Sequence, residues 1–174
     1  MELTLSRETL CFERLAMARN EQISVEGEAT LPGSMRDAVT VLSVQAQAYL
    51  EDAQATAGGV TLRGHVSFQA LYTQGDLTRI RAMETTCDFE HSIDAPEIQP
   101  DMRVSASVAV QETEGTAVSG RMTLRALLDI QAEAFETTKQ ELVTDAAGGE
   151  NGLRTRMQSV TFCRTAPLGE DKTL

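Results

Sequence analysis

The stretch Val60–Tyr72, VTLRGHVSFQALY, alternates apolar and polar residues with great regularity. A period of two residues is that of a β-strand, because successive side chains point to opposite faces of a sheet. The stretch therefore predicts a strand with one face in a core and the other in solvent. The apolar face holds Val60, Leu62, Val66, Phe68, Ala70 and Tyr72, and the polar face holds Thr61, Arg63, His65, Ser67 and Gln69.

The run Val44–Leu50 shows the same period and precedes this strand. Gly58 and Gly59 lie between the two runs. Glycine adopts the positive φ angles of a tight hairpin turn, because it has no Cβ that would clash. The two runs are therefore predicted to pair as an antiparallel hairpin.

A second hairpin is predicted further along the chain. Val104–Val110 alternates outward from a turn at Gln99–Met102, and Met122–Ile130 alternates on the return. Gly115 and Gly120 bracket the connection. The second hairpin thus has the same plan as the first.

The secondary structure of four other segments can also be predicted. The alternating run Ile23–Leu31 predicts a strand, and Met83–Phe89 predicts a weaker one. Leu124–Glu141 could form a helix on residue propensity alone, but its apolar residues keep alternating, which favours a strand. In Ser34–Leu42, by contrast, the apolar residues follow a helical spacing and Ser34 suits the N-cap, so this segment predicts one short helix.

The two predicted hairpins also resemble each other in sequence. Residues 44–72 overlay residues 106–134 without gaps at an offset of 62. The tripeptide TLR at residues 61–63 then falls on the TLR at residues 123–125, and the turn glycines and strand phases coincide. This overlay predicts an internal repeat, by duplication or by pseudo-symmetric pairing.

The end of the chain resembles its beginning. Residues 156–166, RMQSVTFCRTA, overlay residues 6–16, SRETLCFERLA, at an offset of 150, with Phe162 on Phe12. The tail is therefore predicted to be the first strand of another copy, in a longer tandem-repeat protein. An unpaired terminal strand would also leave an open edge, through which the chain could form a homodimer.

These patterns predict an all-β, mainly antiparallel fold. The architecture is a β-sandwich or partly open barrel of about seven to nine strands, built from two similar hairpins, with one short helix. The predicted organisation is a leading strand at 1–20, a β domain at 21–137, a linker at 138–155 and the start of a next repeat at 156–174.

Composition excludes several classes of function. The formal net charge of −11 repels phosphate backbones, which argues against a nucleic-acid partner. No apolar run approaches the length of about 20 residues that spans a bilayer, so membrane insertion is not predicted. The start of the chain, MELTLSRETLCFERL, has acidic residues where a signal peptide has a positive region and an apolar core, so export by a signal peptide is not predicted.

The three cysteines, Cys11, Cys87 and Cys163, are separated by equal gaps of 76 residues. Such gaps do not supply the close-spaced ligand pairs of a zinc site. The favoured interpretation is three free thiols in a reducing compartment. The alternative is a disulfide between Cys11 and Cys163 on paired terminal strands.

The sequence carries no recognisable catalytic apparatus. His65 and His91 lie on predicted strands or their ends, with no neighbouring ligand at metal spacing, and are expected to be solvated or hydrogen-bonded. Gly58-Gly59 lacks the Lys-Ser/Thr that follows a phosphate-binding loop.

Acidic residues are the remaining source of chemistry. A pair of them could serve as the acid and base of glycoside hydrolysis, but their places on outward faces and near turns favour solvated carboxylates. The spacing of a calcium loop is absent. The chain is therefore not predicted to be an enzyme, and no catalytic, cofactor-binding or metal-binding residue and no cofactor is predicted. The carboxylates weighed are Glu26, Glu28, Glu51, Asp52, Glu112 and Glu114.

The order of motifs between Gln22 and Glu136 resembles the SPOCS domain family of endospore-forming bacteria. The recurring features are an acidic strand ending in Leu31-Pro32, the LSV of Leu42–Val44, and a Pro-containing turn before M-x-V at Pro100–Val104. Family members often restart with a strand like SRETLCFERL and end in a peptidoglycan-binding LysM module, which these 174 residues do not show.

The resemblance implies a part in assembly of the spore envelope. The expected function is that of a non-catalytic protein-interaction or scaffold module, with other spore envelope or coat proteins as partners. The implied location is the cytoplasm of the mother cell, at the forespore surface. The alternative is a carbohydrate- or peptidoglycan-binding module. Because sugars stack on aromatic rings, the exposure of the two Tyr and five Phe residues would discriminate between the two.

Overall fold

The computed structural model describes residues 4–32, 39–75 and 79–147. These residues form six strands, which are β1 (Thr4–Thr30), β2 (Val39–Thr56), β3 (Gly59–Gln74), β4 (Ile80–Asp94), β5 (Arg103–Val118) and β6 (Arg121–Ala147). The described part of the chain thus has fewer strands than the expected number, because the predicted leading strand and the predicted strand at Ile23–Leu31 are one continuous strand, β1.

The strands form two three-stranded sheets, in the orders β1-β6-β5 and β2-β3-β4. The pairs β2–β3, β3–β4 and β5–β6 are antiparallel. Side-chain bonds from Arg125 to Ser24 and from Arg7 to Glu141 show that β1 and β6 also run in opposite directions. The prediction of an all-β, antiparallel fold is therefore confirmed, and the two sheets do not close into a barrel.

The predicted helix at Ser34–Leu42 is wrong over its last turn. Residues 39–42 are the start of β2, where Val39 and Val41 pair with residues of β3 and pack against the core. Pairing with β3 supplies backbone hydrogen bonds and burial that a single helical turn lacks, which overrides the local spacing. Residues 34–38 lie outside the described residues.

The chain divides into two compact units, Leu15–Glu136 and a unit made of Met1–Arg14 with Thr137–Leu174. The predicted domain at 21–137 stays a prediction. Of the predicted linker, residues 138–147 lie in β6. The remainder of the linker and the predicted next repeat at 156–174 lie outside the described residues.

In the unit Leu15–Glu136 the two sheets pack through the inner faces of their central strands, β3 and β6. Every second residue of these strands is buried, as the alternation of the sequence predicts. The buried apolar residues of Val66–Tyr72 lie in one core cluster with those of Met122–Leu128. Those of Val60–Leu62 lie in a second cluster with Ile130–Ala134.

The two hairpins have one register at the offset of 62. Val44 pairs with Ala70, and Ala106 pairs with Ala132. The classes buried, half-buried and exposed agree at every position between residues 60–72 and residues 122–134. Whether the hairpins arose by duplication stays a prediction.

Both hairpin turns are two-residue turns closed by glycine. Gly58 has a φ of 88°, and Ser119 and Gly120 have φ of 50° and 82°. In the second turn, the successive positive φ angles of Ser119 and Gly120 define type I′. The backbone of a type I′ turn twists in the same sense as the strands that it joins. Gly115, which the sequence placed at the connection, lies within β5; a Cβ there would lie 2.5 Å from Cγ2 of Val44, so this glycine brings β5 close to β2.

The first strands of the two halves, β1 and β4, also correspond. Arg63 of β3 pairs with Glu90 of β4 at 3.2 Å, and Arg125 of β6 pairs with Glu26 of β1 at 3.7 Å. Beyond each first strand, a backbone N–H donates to the turn glycine of a hairpin. These bonds run from Leu31 N to Gly120 O and from Ala95 N to Gly58 O, each 2.9 Å long. The six strands thus form two similar groups of three.

The described residues of the other unit form a two-stranded ribbon from the ends of β1 and β6. Arg7 pairs with Glu141 at 3.3 Å, and the hydroxyl of Thr144 donates to the carbonyl of Ser6 at 3.5 Å. Most side chains of this ribbon are exposed. A two-stranded ribbon buries little apolar surface, so its strands contribute less to stability than those of the sandwich.

Candidate interaction surface

The outer face of the sheet β2-β3-β4 carries a ladder of polar side chains across the strands. Arg63 pairs with Glu90 at 3.2 Å, and the amide of Gln69 donates to Glu84 at 3.1 Å. These pairs are exposed, so each contributes little to the free energy of unfolding. They define a flat, hydrated surface.

His65 lies at the centre of this outer face. Its Nδ1 shares a hydrogen bond of 2.7 Å with Glu51, and its ring stacks on Tyr49 with centroids 4.9 Å apart. Asp88 of β4 lies directly opposite His65 in the register. His65 is thus a hydrogen-bonded strand residue, as expected, but the sequence analysis missed the stack because Tyr49 lies on another strand.

His91 lies at the seam between β4 and β1 rather than on the outer face. Its Nε2 shares a hydrogen bond of 2.7 Å with Glu21. Nearby, the thiol of Cys87 donates to the carbonyl of Glu26 at 3.0 Å. Burial, followed by the charge of Asp88, raises the pKa of the Cys87 thiol. A raised pKa disfavours the thiolate, which is the reactive form of a cysteine.

The thiol state is known for two of the three cysteines. Cys11 is a free, exposed thiol on the ribbon, and Cys87 is also free. Cys163 lies outside the described residues, so the alternative of a disulfide with Cys11 is untested.

Most of the carboxylates weighed as catalytic candidates lie on the outer face of the other sheet. Glu26 pairs with Arg125, and Glu28 with Arg121 at 3.8 Å. Glu112 and Glu114 border an open depression of about 200 Å³. The same sheet has a larger open depression of about 420 Å³, lined by residues such as Asn20, Ser105, Ser107 and Gln131. Glu51 and Asp52 lie on β2, at a bulge.

Within the described ranges, these carboxylates do not assemble with His or Cys into a group that could hold a metal ion. In the same residues, no buried side-chain nitrogen or oxygen lacks a hydrogen-bond partner.

The sequence named aromatic exposure as the property that bears on the two functions; of the seven aromatic residues, Phe12 is half-buried and Phe162 lies outside the described residues. Phe68, Tyr72 and Phe89 are buried, and Phe135 is half-buried beneath Arg103, whose guanidinium lies 4.3 Å from the ring centroid. Tyr49, with 42% of its surface exposed, is the exposed aromatic residue of the described chain. One ring, already stacked on His65, is a small platform for a sugar chain.

An exposed apolar corner lies at one end of the outer face of β2-β3-β4. It consists of Leu42, Leu71 and Ile80, which are 39%, 40% and 59% exposed. Leu71 lies between Ser43 of β2 and Ala82 of β4. The β-bulge between Val41 and Ser43 leaves Leu42 on the outside as well. Neighbouring exposed apolar side chains of this kind are typical of surfaces that bind another protein.

The sequence analysis did not find this corner. Leu71 was visible as an apolar residue on a polar face, but Leu42 was assigned to a helix. Its position beside Leu71 follows only from the bulge in β2.

Residues 37–118 match the family model described as SipL, SPOCS domain. The resemblance predicted from the sequence is therefore confirmed, and it indicates a sporulation-related role. The match runs from the start of β2 to the end of β5 and leaves out β1 and β6, which complete the sheet β1-β6-β5. No curated protein and no solved structure matches the chain. Among the described residues there is no helix of the length and apolar character needed to cross a membrane.

Proposed function

We propose that this chain is a non-catalytic scaffold module that binds another protein during assembly of the spore envelope. The observation that carries the proposal is the apolar corner formed by Leu42, Leu71 and Ile80 on the SPOCS-matching strands. Apolar side chains with 39–59% of their surface exposed gain free energy when a partner covers them, because water is released.

The surroundings of the corner suit a protein partner. The polar ladder that continues from it along β3 supplies hydrogen-bonding groups, including Gln69 and Glu84, at the rim of an apolar centre. This arrangement of an apolar centre with a polar rim is that of a protein interface. The partners proposed are other envelope or coat proteins, at the forespore surface in the cytoplasm of the mother cell.

A pull-down of the tagged chain from an extract of sporulating cells tests the proposal. The wild-type chain is expected to recover a coat or envelope protein. The variant with Leu71→Asp and Ile80→Asp is expected to lose it, because a charge in the corner must be desolvated on binding. Val118→Asp is the matched control, since Val118 is 71% exposed at the end of β5 and outside the corner.

Two results would contradict the scaffold function. One is recovery of peptidoglycan fragments alone, and the other is equal recovery of the protein partner by the wild type and the corner variant. Isothermal titration with muropeptides addresses the carbohydrate alternative. Heat of binding that disappears in Tyr49→Ala would favour that alternative, and the absence of heat would exclude it.

A further inference from the structure

We propose that β1 is an exchangeable strand, so that β1 of one copy pairs along its whole length with β6 of a second copy of this chain. The partner is thus chemically identical to the chain itself. The proposal deepens the scaffold function by naming a self-assembly contact, but it stands on the strand topology alone.

The first step is the route of the chain through the two sheets. β1 is followed by the hairpin β2–β3, yet it pairs with β6 in the other sheet. In the same way, β4 is followed by the hairpin β5–β6, yet it pairs with β3. Each hairpin therefore receives its third strand from the other half of the molecule. The native fold is already an exchange of first strands, made within one chain.

The second step is that the two exchanged strands are held by the same contacts. A glutamate on each first strand pairs with an arginine on the central strand of the receiving hairpin, Glu26 with Arg125 and Glu90 with Arg63. The backbone after each strand then donates to a turn glycine, Gly120 or Gly58. These receptor features all lie on the hairpin, so they are available to a matching strand from any copy.

The third step is the difference between β1 and β4. β4 is tied at both ends, to β3 through residues 75–79 and to β5 through residues 95–102. β1 is joined to the other described strands of the sandwich at one end, through residues 31–38. Exchange of β1 over its whole length, with residues 4–14 of the ribbon, leaves the pairings of β2 with β3, β3 with β4 and β5 with β6 intact, whereas β4 cannot move without the strands joined to its two ends.

The fourth step is the energetic balance of exchange. The buried residues Met17, Val25 and Leu31, and the seam bonds of Glu21 and Glu26, would all be remade with a second copy. An exchange that remakes the same contacts costs mainly the entropy of association, so it is favoured by high local concentration. A scaffold assembled on a surface provides such a concentration.

The sequence itself repeats part of this strand. Residues 156–166 resemble residues 6–16, so a segment similar to the start of β1 follows β6 in the chain. The second copy is the occupant proposed here, because it carries the whole of β1, including Glu26.

A disulfide test distinguishes exchange from simple contact. In the full chain with Cys11, Cys87 and Cys163 replaced by Ser, Glu26→Cys and Arg125→Cys are made as separate variants. The two are mixed at high concentration and oxidised with glutathione, and the linked peptides are mapped by mass spectrometry. An excess of the bond between residue 26 of one copy and residue 125 of the other, over the collisional background of the control pair, shows that β1 of one copy lies on β6 of another.

The matched control is the equivalent pair on the strand that is tied at both ends, Glu90→Cys mixed with Arg63→Cys. The 26–125 mixture is expected to give at least about tenfold more intermolecular disulfide than the 90–63 mixture. Two double variants, one with cysteines at 26 and 125 and one with cysteines at 90 and 63, must each form the disulfide within one chain. This result verifies that both pairs of positions are close enough to be bridged. Equal yields from the two mixtures would overturn the proposal. Loss of the coat protein in the pull-down with a retained 26–125 link would contradict the scaffold function and leave strand exchange standing.

Discussion

The hairpin β2–β3 and the hairpin β5–β6 have the same register away from their β-bulges, and their central strands have the same pattern of burial, but the residues differ. Gly64 of β3 corresponds to Ala126 of β6 at the offset of 62. The β-bulge follows Leu50 in the first hairpin and Val110 in the second, two positions earlier. A shift of the bulge changes which backbone atoms cross the inner face. The comparison shows that two hairpins with different residues and different bulge positions have the same pattern of burial along their central strands.

The largest difference between the hairpins is expected at Gly64. A Cβ at this position would collide with the carbonyl oxygen of Tyr49 and lie 2.8 Å from Cζ of Phe89. Because the first obstacle is backbone, Gly64→Ala should lower the free energy of unfolding by about 3 kcal/mol. Ala126→Gly, the reverse change in the other hairpin, should cost only about 1 kcal/mol. Urea denaturation measures the free energy of unfolding of both variants. Equal losses of this free energy would show that residues 64 and 126 have equivalent surroundings.

The seams between the sheets provide a second comparison. The hydroxyl of Thr113 in β5 donates to the carbonyl of Val44 in β2 at 2.9 Å, and the thiol of Cys87 donates across the β4–β1 seam. Thr113→Val keeps the shape but removes the donor, and should cost about 1 kcal/mol. Thr113→Ser keeps the donor and is the control for the hydrogen bond.

At the β4–β1 seam, Cys87→Ser replaces a weak hydrogen-bond donor by a stronger one. The midpoint of urea unfolding should therefore be unchanged or higher. The contributions of the two seam hydrogen bonds are compared by measuring the midpoints of urea unfolding of Thr113→Val, Thr113→Ser and Cys87→Ser. A wild-type midpoint for Thr113→Val would mean that the β2–β5 seam does not depend on this bond.

The hairpin turns should respond to glycine in opposite directions. Ser119 has a φ of 50°, a left-handed conformation that costs a residue with a side chain about 1 kcal/mol. Ser119→Gly removes this strain and should raise the melting temperature by about 2 °C. Ala57, the corresponding residue, is not in the left-handed region. Ala57→Gly should therefore lower the melting temperature slightly, through greater freedom of the unfolded chain. Calorimetry showing a shift of the same sign in both variants would contradict this difference.

The smallest predicted effect is the dependence of stability on pH at Cys87. Burial raises the pKa of this thiol above its ordinary value of 9.0, so the folded state holds the proton more tightly than the unfolded state. Its contribution to stability is therefore fully present below about pH 9 and is lost as the pH rises through the folded pKa. The urea midpoint of the wild type should fall more between pH 8 and pH 10 than that of Cys87→Ser, which does not ionise. Parallel curves for the two proteins would refute the assignment.

Much of the fold could be predicted from the sequence, because its strongest signals are local. The alternation in Val60–Tyr72 identified the buried residues of β3, and the same pattern prevailed over helix propensity in Leu124–Glu141. The glycines at 58 and 120 marked both hairpin turns. Strand period and turn chemistry each act within a few residues, so a single sequence reveals them.

The candidate site was less predictable. The apolar corner depends on Leu42, which the local spacing had assigned to a helix, and on its neighbours Leu71 and Ile80 from two other strands. The stack of Tyr49 on His65 likewise joins residues of different strands. Such neighbours are fixed by the register and the bulges of the sheet, which the period of one strand does not specify.

The sequence by itself determined that this protein is built of antiparallel strands with alternating faces, arranged as two similar hairpins. Only the tertiary structure decided that β1 pairs with β6 and β4 with β3, so that each hairpin is completed by a strand from the other half. The physical reason is that alternation tells which face of a strand is buried, but carries no information about which distant edge will supply its hydrogen bonds. That choice depends on contacts far apart in the chain, such as Glu26 with Arg125 and Leu31 with Gly120.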